Sequence, residues 1–189
     1  MLLELQMHST GVRRKELGLY DMTNIKFEPI IPKKFMASLD PAKLKKELYD
    51  ALDHTGNIIN DDFDKTVRTW RKAAKFKKKG PEQYRSGLAV TISTDDEIYF
   101  YIDEGTKAHI IRPRHATRLG FRSGYKAKTR VGVVGSRAGG ASGPFVTAKQ
   151  VMHPGFPARK FAKTIAKRRQ KNLNNLVRLA FNRSFRFGG

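Results

Sequence analysis

From Asp40 onward the apolar residues fall at three- and four-residue intervals: Leu44, Leu48, Ala51 and Leu52, then Ile58, Ile59, Phe63, Val67, Trp70 and Ala74. That spacing lays one apolar stripe along a helix. Asp40 before Pro41 supplies an N-cap and a first helical residue that needs no amide donor. The pattern therefore predicts a long first helix from Pro41, ending at Gly56 with a second helix beyond it, or bending there and continuing, to about Phe76. Its other face carries Asp61, Asp62 and Asp64 before Lys65, Arg68, Arg71 and Lys72, the order a helix dipole favours. Lys75, Lys77, Lys78 and Lys79 before Gly80-Pro81 read as a basic exit from that helix and a secondary anion contact. The period then shortens to two. Leu88, Val90 and Ile92 alternate with Ala89, Thr91 and Ser93, and the apolar run Ile98 to Ile102 follows across Thr94-Asp95-Asp96-Glu97, which predicts a β-hairpin. Ala108 to Ile111 reads as a third short strand ended by Pro113. After His153-Pro154-Gly155, helical spacing returns at Phe161, Ile165, Leu173, Leu176, Val177, Ala180 and Phe181, predicting an amphipathic C-terminal helix.

Seven glycines lie between Gly120 and Gly143, around Val131 to Val134. They predict a long basic hairpin or loop over residues 120–147, with a tip from Gly135 to Gly143 too glycine-rich to be rigid. Residues 1–39 show no sustained period and read as an irregular arm. Met22 opens a segment that resembles a second start, so residues 1–21 read as an extension or docking arm. The expected class is α+β: a long N-terminal helix packed on a small antiparallel sheet, the basic insertion, and the C-terminal helix. One domain over residues 40–183 is expected, with a short tail at 184–189. No apolar run approaches the roughly 20 residues of a membrane helix, and the first residues lack the basic leader and apolar core of a secretory signal.

Charge changes the picture. The chain has 189 residues and a formal net charge of +21. Residues 1–104 hold 18 basic and 17 acidic side chains, whereas residues 105–189 hold 20 basic and no acidic ones. Past Glu104 the chain can form ion pairs only with its earlier part, so a polyanion or an acidic partner surface is expected. The C-terminal helix alone carries Lys160, Lys163, Lys167, Arg168, Arg169, Lys171 and Arg178 on its polar side.

Catalytic chemistry finds little support. With no cysteine there is no thiolate nucleophile, disulfide or sulfur-ligated zinc site. No Gly-x-Ser-x-Gly occurs. Gly135-Ser136-Arg137-Ala138-Gly139-Gly140 lacks the Gly-Lys-Ser/Thr ending of a phosphate-cradling loop and leads to Pro144 rather than to a helix. Asp103, Glu104, His109 and His115 are the best metal-nuclease candidates. On a strand, however, Asp103 and Glu104 would face opposite sides, and no later carboxylate could join them. Neither enzymatic activity, a metal nor a cofactor is expected.

Two phrases carry a resemblance: Ile102-Asp103-Glu104-Gly105-Thr106-Lys107-Ala108-His109-Ile110-Ile111-Arg112-Pro113, and Val151-Met152-His153-Pro154-Gly155-Phe156-Pro157-Ala158-Arg159-Lys160-Phe161. In order and spacing the chain resembles the tailed-phage minor tail component or tail completion (neck) proteins of the lambdoid gene-product-ten type, over residues 22–183. Glu104 meets Gly105 directly where that family often has an intervening residue, and Arg159-Lys160-Phe161 stands where Arg-Pro-Phe is common. The motif residues Glu104, Gly105, Thr106, His109, Pro113, His153, Pro154, Gly155, Ala158 and Phe161 read as structural: glycines for turns, prolines for chain direction, histidines for packing.

The resemblance implies a structural virion protein forming a homo-oligomeric ring, six-fold with twelve-fold as the other arrangement, at the head-tail junction. Its implied partners are the head connector or stopper, the tail terminator or tail tube, and phage DNA in the channel. It also implies assembly in the host bacterial cytoplasm. Arg112, Arg114, Arg118, Arg122, Lys126, Lys128, Arg130 and Arg137 are the expected contacts to DNA phosphates or acidic partner proteins. The alternative from the same charge is a free-standing nucleic-acid-binding protein without sequence specificity. For that reading Phe121, Tyr125, Phe156, Phe161, Phe181, Phe185 and Phe187 are candidate stacking residues, with core packing as the competing role.

Overall fold

The computed structural model describes residues 5–8, 24–27, 39–84 and 87–185. Helices and small antiparallel sheets mix as an α+β fold. Contacts divide the chain into two compact units, Met1–Asp62 with Lys75–Asp95 and Ile165–Gly189, and Phe63–Ala74 with Asp96–Thr164.

In the first unit, helix α1 (Pro41–Val67) begins where Asp40 Oδ1 accepts from the amides of Ala42 and Lys43, at 3.0 and 3.1 Å. It continues straight through Gly56. The reason is a close approach: a Cβ on Gly56 would stand 2.6 Å from Cγ1 of Val90, so the residue serves helix-on-sheet contact rather than termination. The helix ends at Val67, short of the expected Phe76, in a tight turn where Trp70 N donates to Val67 O. The lysine run is not a helix exit. It lies in strand β3 (Lys77–Tyr84), which pairs with β4 (Gly87–Ser93), so Lys78 stands opposite Ile92. Lys78 Nζ is held by Asp53 at 2.7 Å and by Asn57 at 2.6 Å. Lys77 reaches Asp95 and Lys79 reaches Glu82. Lys78 is thus committed within the fold, whereas the Lys77 and Lys79 pairs are at the surface and Lys75, just before β3, is exposed.

Strands β1 (Leu5–His8) and β2 (Asn24–Phe27) complete a four-stranded antiparallel sheet in the order β1-β2-β4-β3. The expected irregular arm thus contributes two strands; residues 1–4, 9–23 and 28–38 lie outside the described residues. Leu44, Leu48, Leu52 and Ile59 from α1 are buried in this unit, as are Val90 and Ile92 from β4. So are Ile165, Leu173, Val177 and Phe181 of helix α3 (Phe161–Ser184). Ser184 O accepts from Asp40 N, and Leu39 bridges Phe185, which ties the end of α3 to the start of α1; residues 186–189 are outside the described residues.

The second unit departs most from expectation. Ile98 to Ile102 is not a strand but part of helix α2 (Glu97–Glu104). Asp96 decides this, because its carboxylate accepts from Tyr99 N at 2.7 Å as an N-cap and Glu97 follows in the first turn. The hairpin partner of β4 is therefore β3, which precedes it. Strand β5 (His109–Ile111) pairs with β8 (Val151–His153), and β6 (Leu119–Lys126) pairs with β7 (Gly140–Ala148), each as a two-stranded antiparallel ribbon. The core is aromatic: the Tyr99 ring lies 6.0 Å from Phe63, 6.4 Å from Trp70 and 5.9 Å from Phe161.

Candidate polyanion-binding surface

The two motif phrases meet in the second unit. Thr106 and Phe156 exchange backbone hydrogen bonds at 3.0 and 3.1 Å, Arg159 N donates to Ile102 O, and Lys160 N donates to Asp103 O. Gly105 and Gly155 sit at φ 78° and 77°, where a side chain is strained. A Cβ on Gly105 would come 2.6 Å from Ala158 N, and one on Gly155 would collide with Thr106 O. His109 and His153 are cross-strand partners with rings 5.1 Å apart. His109 Nδ1 lies 2.9 Å from Lys107 O, and His153 Nδ1 accepts from Gly155 N at 3.0 Å. Glycines, histidines and Phe161 of the motifs therefore serve the join between α2, the β5–β8 ribbon and the start of α3. Pro113 and Ala158 are half-buried beside this join, whereas Glu104 and Pro154 are exposed.

Asp103 closes the same join. The residue is 9% exposed, and its carboxylate accepts from Phe161 N at the start of α3, acting as a cap supplied from another helix. Burial raises its pKa to about 6, with the Glu104 charge adding to the rise and the amides of Phe161 and Ala162 opposing it. Burial, with Asp103 and Glu104 adding, also holds the Tyr99 phenol well above its ordinary value. Asp103 is thus committed to a helix terminus. Among the described residues no group of three or more His, Asp or Glu side chains is placed to hold a metal ion, so the Asp103, Glu104, His109 and His115 constellation does not assemble.

The predicted cations separate into two classes. Arg112, Arg114, Arg118, Arg122, Lys126, Arg130 and Arg137 are exposed. Lys128 is half-buried and donates to Thr69 O, just past the end of α1. It belongs to a docked loop rather than to a contact surface. In that loop Ser136 N and Oγ both donate to Lys65 O at 3.1 Å, Gly135 N donates to Thr66 Oγ1 at 3.2 Å, and Thr69 Oγ1 donates to Arg137 O at 3.0 Å. Gly135 and Ser136, at the start of the expected hairpin tip, thus cap the C-terminal end of α1, whose last carbonyls need donors from outside the helix, while Gly140 to Gly143 lie in β7. Arg137 has backbone and side-chain bonds to Lys128 O and Ala127 O in the same loop.

On α3, Arg169 leaves the cationic face. Its guanidinium grips Asp62 through two bonds of 2.7 and 2.8 Å, with Asp62 2% exposed. That bond raises the Arg169 pKa further. Of the other α3-region cations, Lys160, Lys163, Lys167, Arg168, Lys171 and Arg178 are exposed.

Aromatic residues separate likewise. Phe161 and Phe181 are core, Phe156 and Phe185 are half-buried, Phe121 and Tyr125 are exposed, and Phe187 lies outside the described residues. Phe145, 66% exposed on β7, was not among the sequence candidates because Pro144-Phe145-Val146 shows no cation beside it; only pairing with β6 brings it opposite Arg122. Apolar side chains are also exposed at Ile98, Phe100 and Tyr101 of α2, at Ile110 of β5 and at Met152 of β8. Among the described residues no helix is long and apolar enough to cross a membrane. No family model, curated protein or solved structure matches the chain.

Proposed function

We propose that the chain is a structural virion protein of a tailed phage: a tail-completion or neck subunit that assembles as a homo-oligomeric ring at the head-tail junction. The observation that carries the reading is the meeting of the two motif phrases in one backbone join, where Gly105 and Gly155 both take positive φ and Thr106 pairs with Phe156. Motifs that build a join between elements suit a fold-defining role. The exposed apolar residues of α2 and the β5–β8 ribbon supply material for subunit contacts. Exposed Arg112, Arg114, Arg118, Arg122, Lys126, Arg130 and Arg137 supply a surface for DNA phosphates in the channel or for acidic faces of the connector, stopper or tail proteins. The working place is the virion neck, reached by assembly in the host cytoplasm.

The test combines light scattering and negative-stain imaging of the full chain across a salt series with mass spectrometry of purified phage particles. Rings of six- or twelve-fold mass and recovery of the chain from particles are expected. A monomer at every salt concentration that is absent from particles would overturn the reading. The second reading, a free-standing nucleic-acid-binding protein, draws on the exposed Phe121 and Tyr125 among cations.

A further inference from the structure

The β6–β7 ribbon has two faces of different chemistry. Partners across an antiparallel pair share a face, so Arg122 and Phe145 stand together; a bulge past Arg122 adds its extra residue to β7, so β6 keeps its alternation and Lys126, four residues along it, falls on the same side. Around them on that face, Gly120, Gly124 and Gly140 place no side chain, while their neighbours Thr147, across from Gly120, and Ser142, across from Gly124, add only short polar ones. Phe145 reaches across the ribbon over Gly120, where a Cβ would stand 2.7 Å from its Cζ. Arg122 Nη1 donates to Gly143 O at 2.9 Å, which pins the guanidinium to the ribbon while the side chain stays exposed. Phe121 and Tyr125 alternate onto the opposite face, with Val146 across from Phe121.

We infer that the Arg122–Phe145–Lys126 face binds single-stranded nucleic acid, with the Phe145 ring stacking on an unpaired base and the two cations meeting the flanking phosphates. An aromatic ring beside cations on a surface without carboxylates matches what a strand presents, a π-face every few ångströms along a line of negative charge. Charge complementarity is one-sided: residues 105–189 contain no acidic side chain to compete for the cations. The glycines matter as much as the ring. With only the short Ser142 and Thr147 side chains beside them, they leave a shallow strip for a flat base, whereas a protein partner holds an aromatic anchor best in a packed pocket. Duplex DNA would meet the cations but offers no exposed base face to Phe145. This inference stands apart from the neck proposal, since it concerns one face of one ribbon and is read in solution.

Fluorescence anisotropy of the full chain with a labelled thymidine oligonucleotide, an abasic oligonucleotide of equal length and a duplex separates bases from phosphates. The thymidine strand should bind about tenfold tighter than the abasic one, in line with the stacking of one base. Phe145→Ala should erase that preference, Phe145→Trp should keep it, and Tyr125→Ala on the other face should leave it within about twofold of wild type. Arg122→Gln with Lys126→Gln should weaken both strands alike and reduce the salt slope by roughly 1 to 2. Circular dichroism checks that each variant is folded. Equal binding of thymidine and abasic strands, or a Phe145→Ala protein that keeps the preference, would overturn the inference. So would a Phe145→Ala protein that loses only self-association or capture of an acidic protein, which would reassign the face to a protein partner.

Discussion

Replacing Asp103 by Asn should make the protein more stable than wild type at neutral pH, although it removes a helix cap that carries charge. The carboxylate is buried, and burial outweighs the amides of Phe161 and Ala162, so its pKa rises from 3.8 to about 6. A raised carboxylate pKa means that the folded state holds the proton more tightly than the unfolded chain. The stabilisation it supplies is complete below about pH 4 and is lost as pH rises through about 6, after which it stays lost. A shift of about 2 units corresponds to about 3 kcal/mol, an upper figure given relaxation around the site. Asn presents an oxygen to Phe161 N with no charge to bury. The stability difference between Asp103→Asn and wild type should therefore be near zero at pH 4 and grow in favour of Asn by up to about 3 kcal/mol by pH 8. Asp103→Ala keeps no acceptor and should lose about 1 to 2 kcal/mol at pH 4, as expected for a lost cap. Urea unfolding followed by the fluorescence of Trp70, the single tryptophan, reads this unit directly, because its ring lies 6.4 Å from Tyr99. A difference that stays flat from pH 4 to 8, or that moves in favour of wild type as pH rises, would refute the reasoning. It would mean that the charged cap outweighs burial.

Arg169→Ala should cost about 3 to 5 kcal/mol by leaving the Asp62 charge buried, and Asp62→Leu with Arg169→Met should recover most of it; a double-mutant cycle in urea that finds no coupling would count against the pair. Gly105→Ala and Gly155→Ala should each lose at least about 1 to 3 kcal/mol, because φ is positive and backbone atoms occupy the space of the new methyl; unchanged thermal melting would contradict that packing. Lys128→Ala should lower the melting temperature while Lys126→Ala stays within about 0.5 kcal/mol of wild type, which distinguishes a cation that holds the turn after α1 from one that faces solvent; equal effects would merge the two classes.

The local signals that succeeded were long or doubled. Both long helices were legible because an apolar stripe repeated over many turns leaves little room for another period, and Asp40-Pro41 marked the start of α1. Strand β4 was legible from its alternation. The five-residue run Ile98 to Ile102 misled, since a short apolar run fits either element, and the cap at Asp96 decided for helix. In the site, the sequence marked seven of the exposed cations. It also marked Lys128, whose amine has the same local surroundings as its neighbours until the hairpin tip folds onto the end of α1.

Sequence by itself determined the α+β class, the two long helices and the basic half in which no carboxylate follows Glu104. Those properties are periodic or additive, and chain order alone specifies them. Tertiary structure decided that the lysine run pairs as a strand and that Arg169 leaves the cationic face for Asp62. It also decided that Asp103 caps a helix more than fifty residues away, and that Phe145 shares a face with Arg122. Each of these depends on which distant backbone group or charge arrives beside a side chain. Burial then amplifies the interaction, so a group that looks ordinary in the chain acquires its role only where the fold removes water from it.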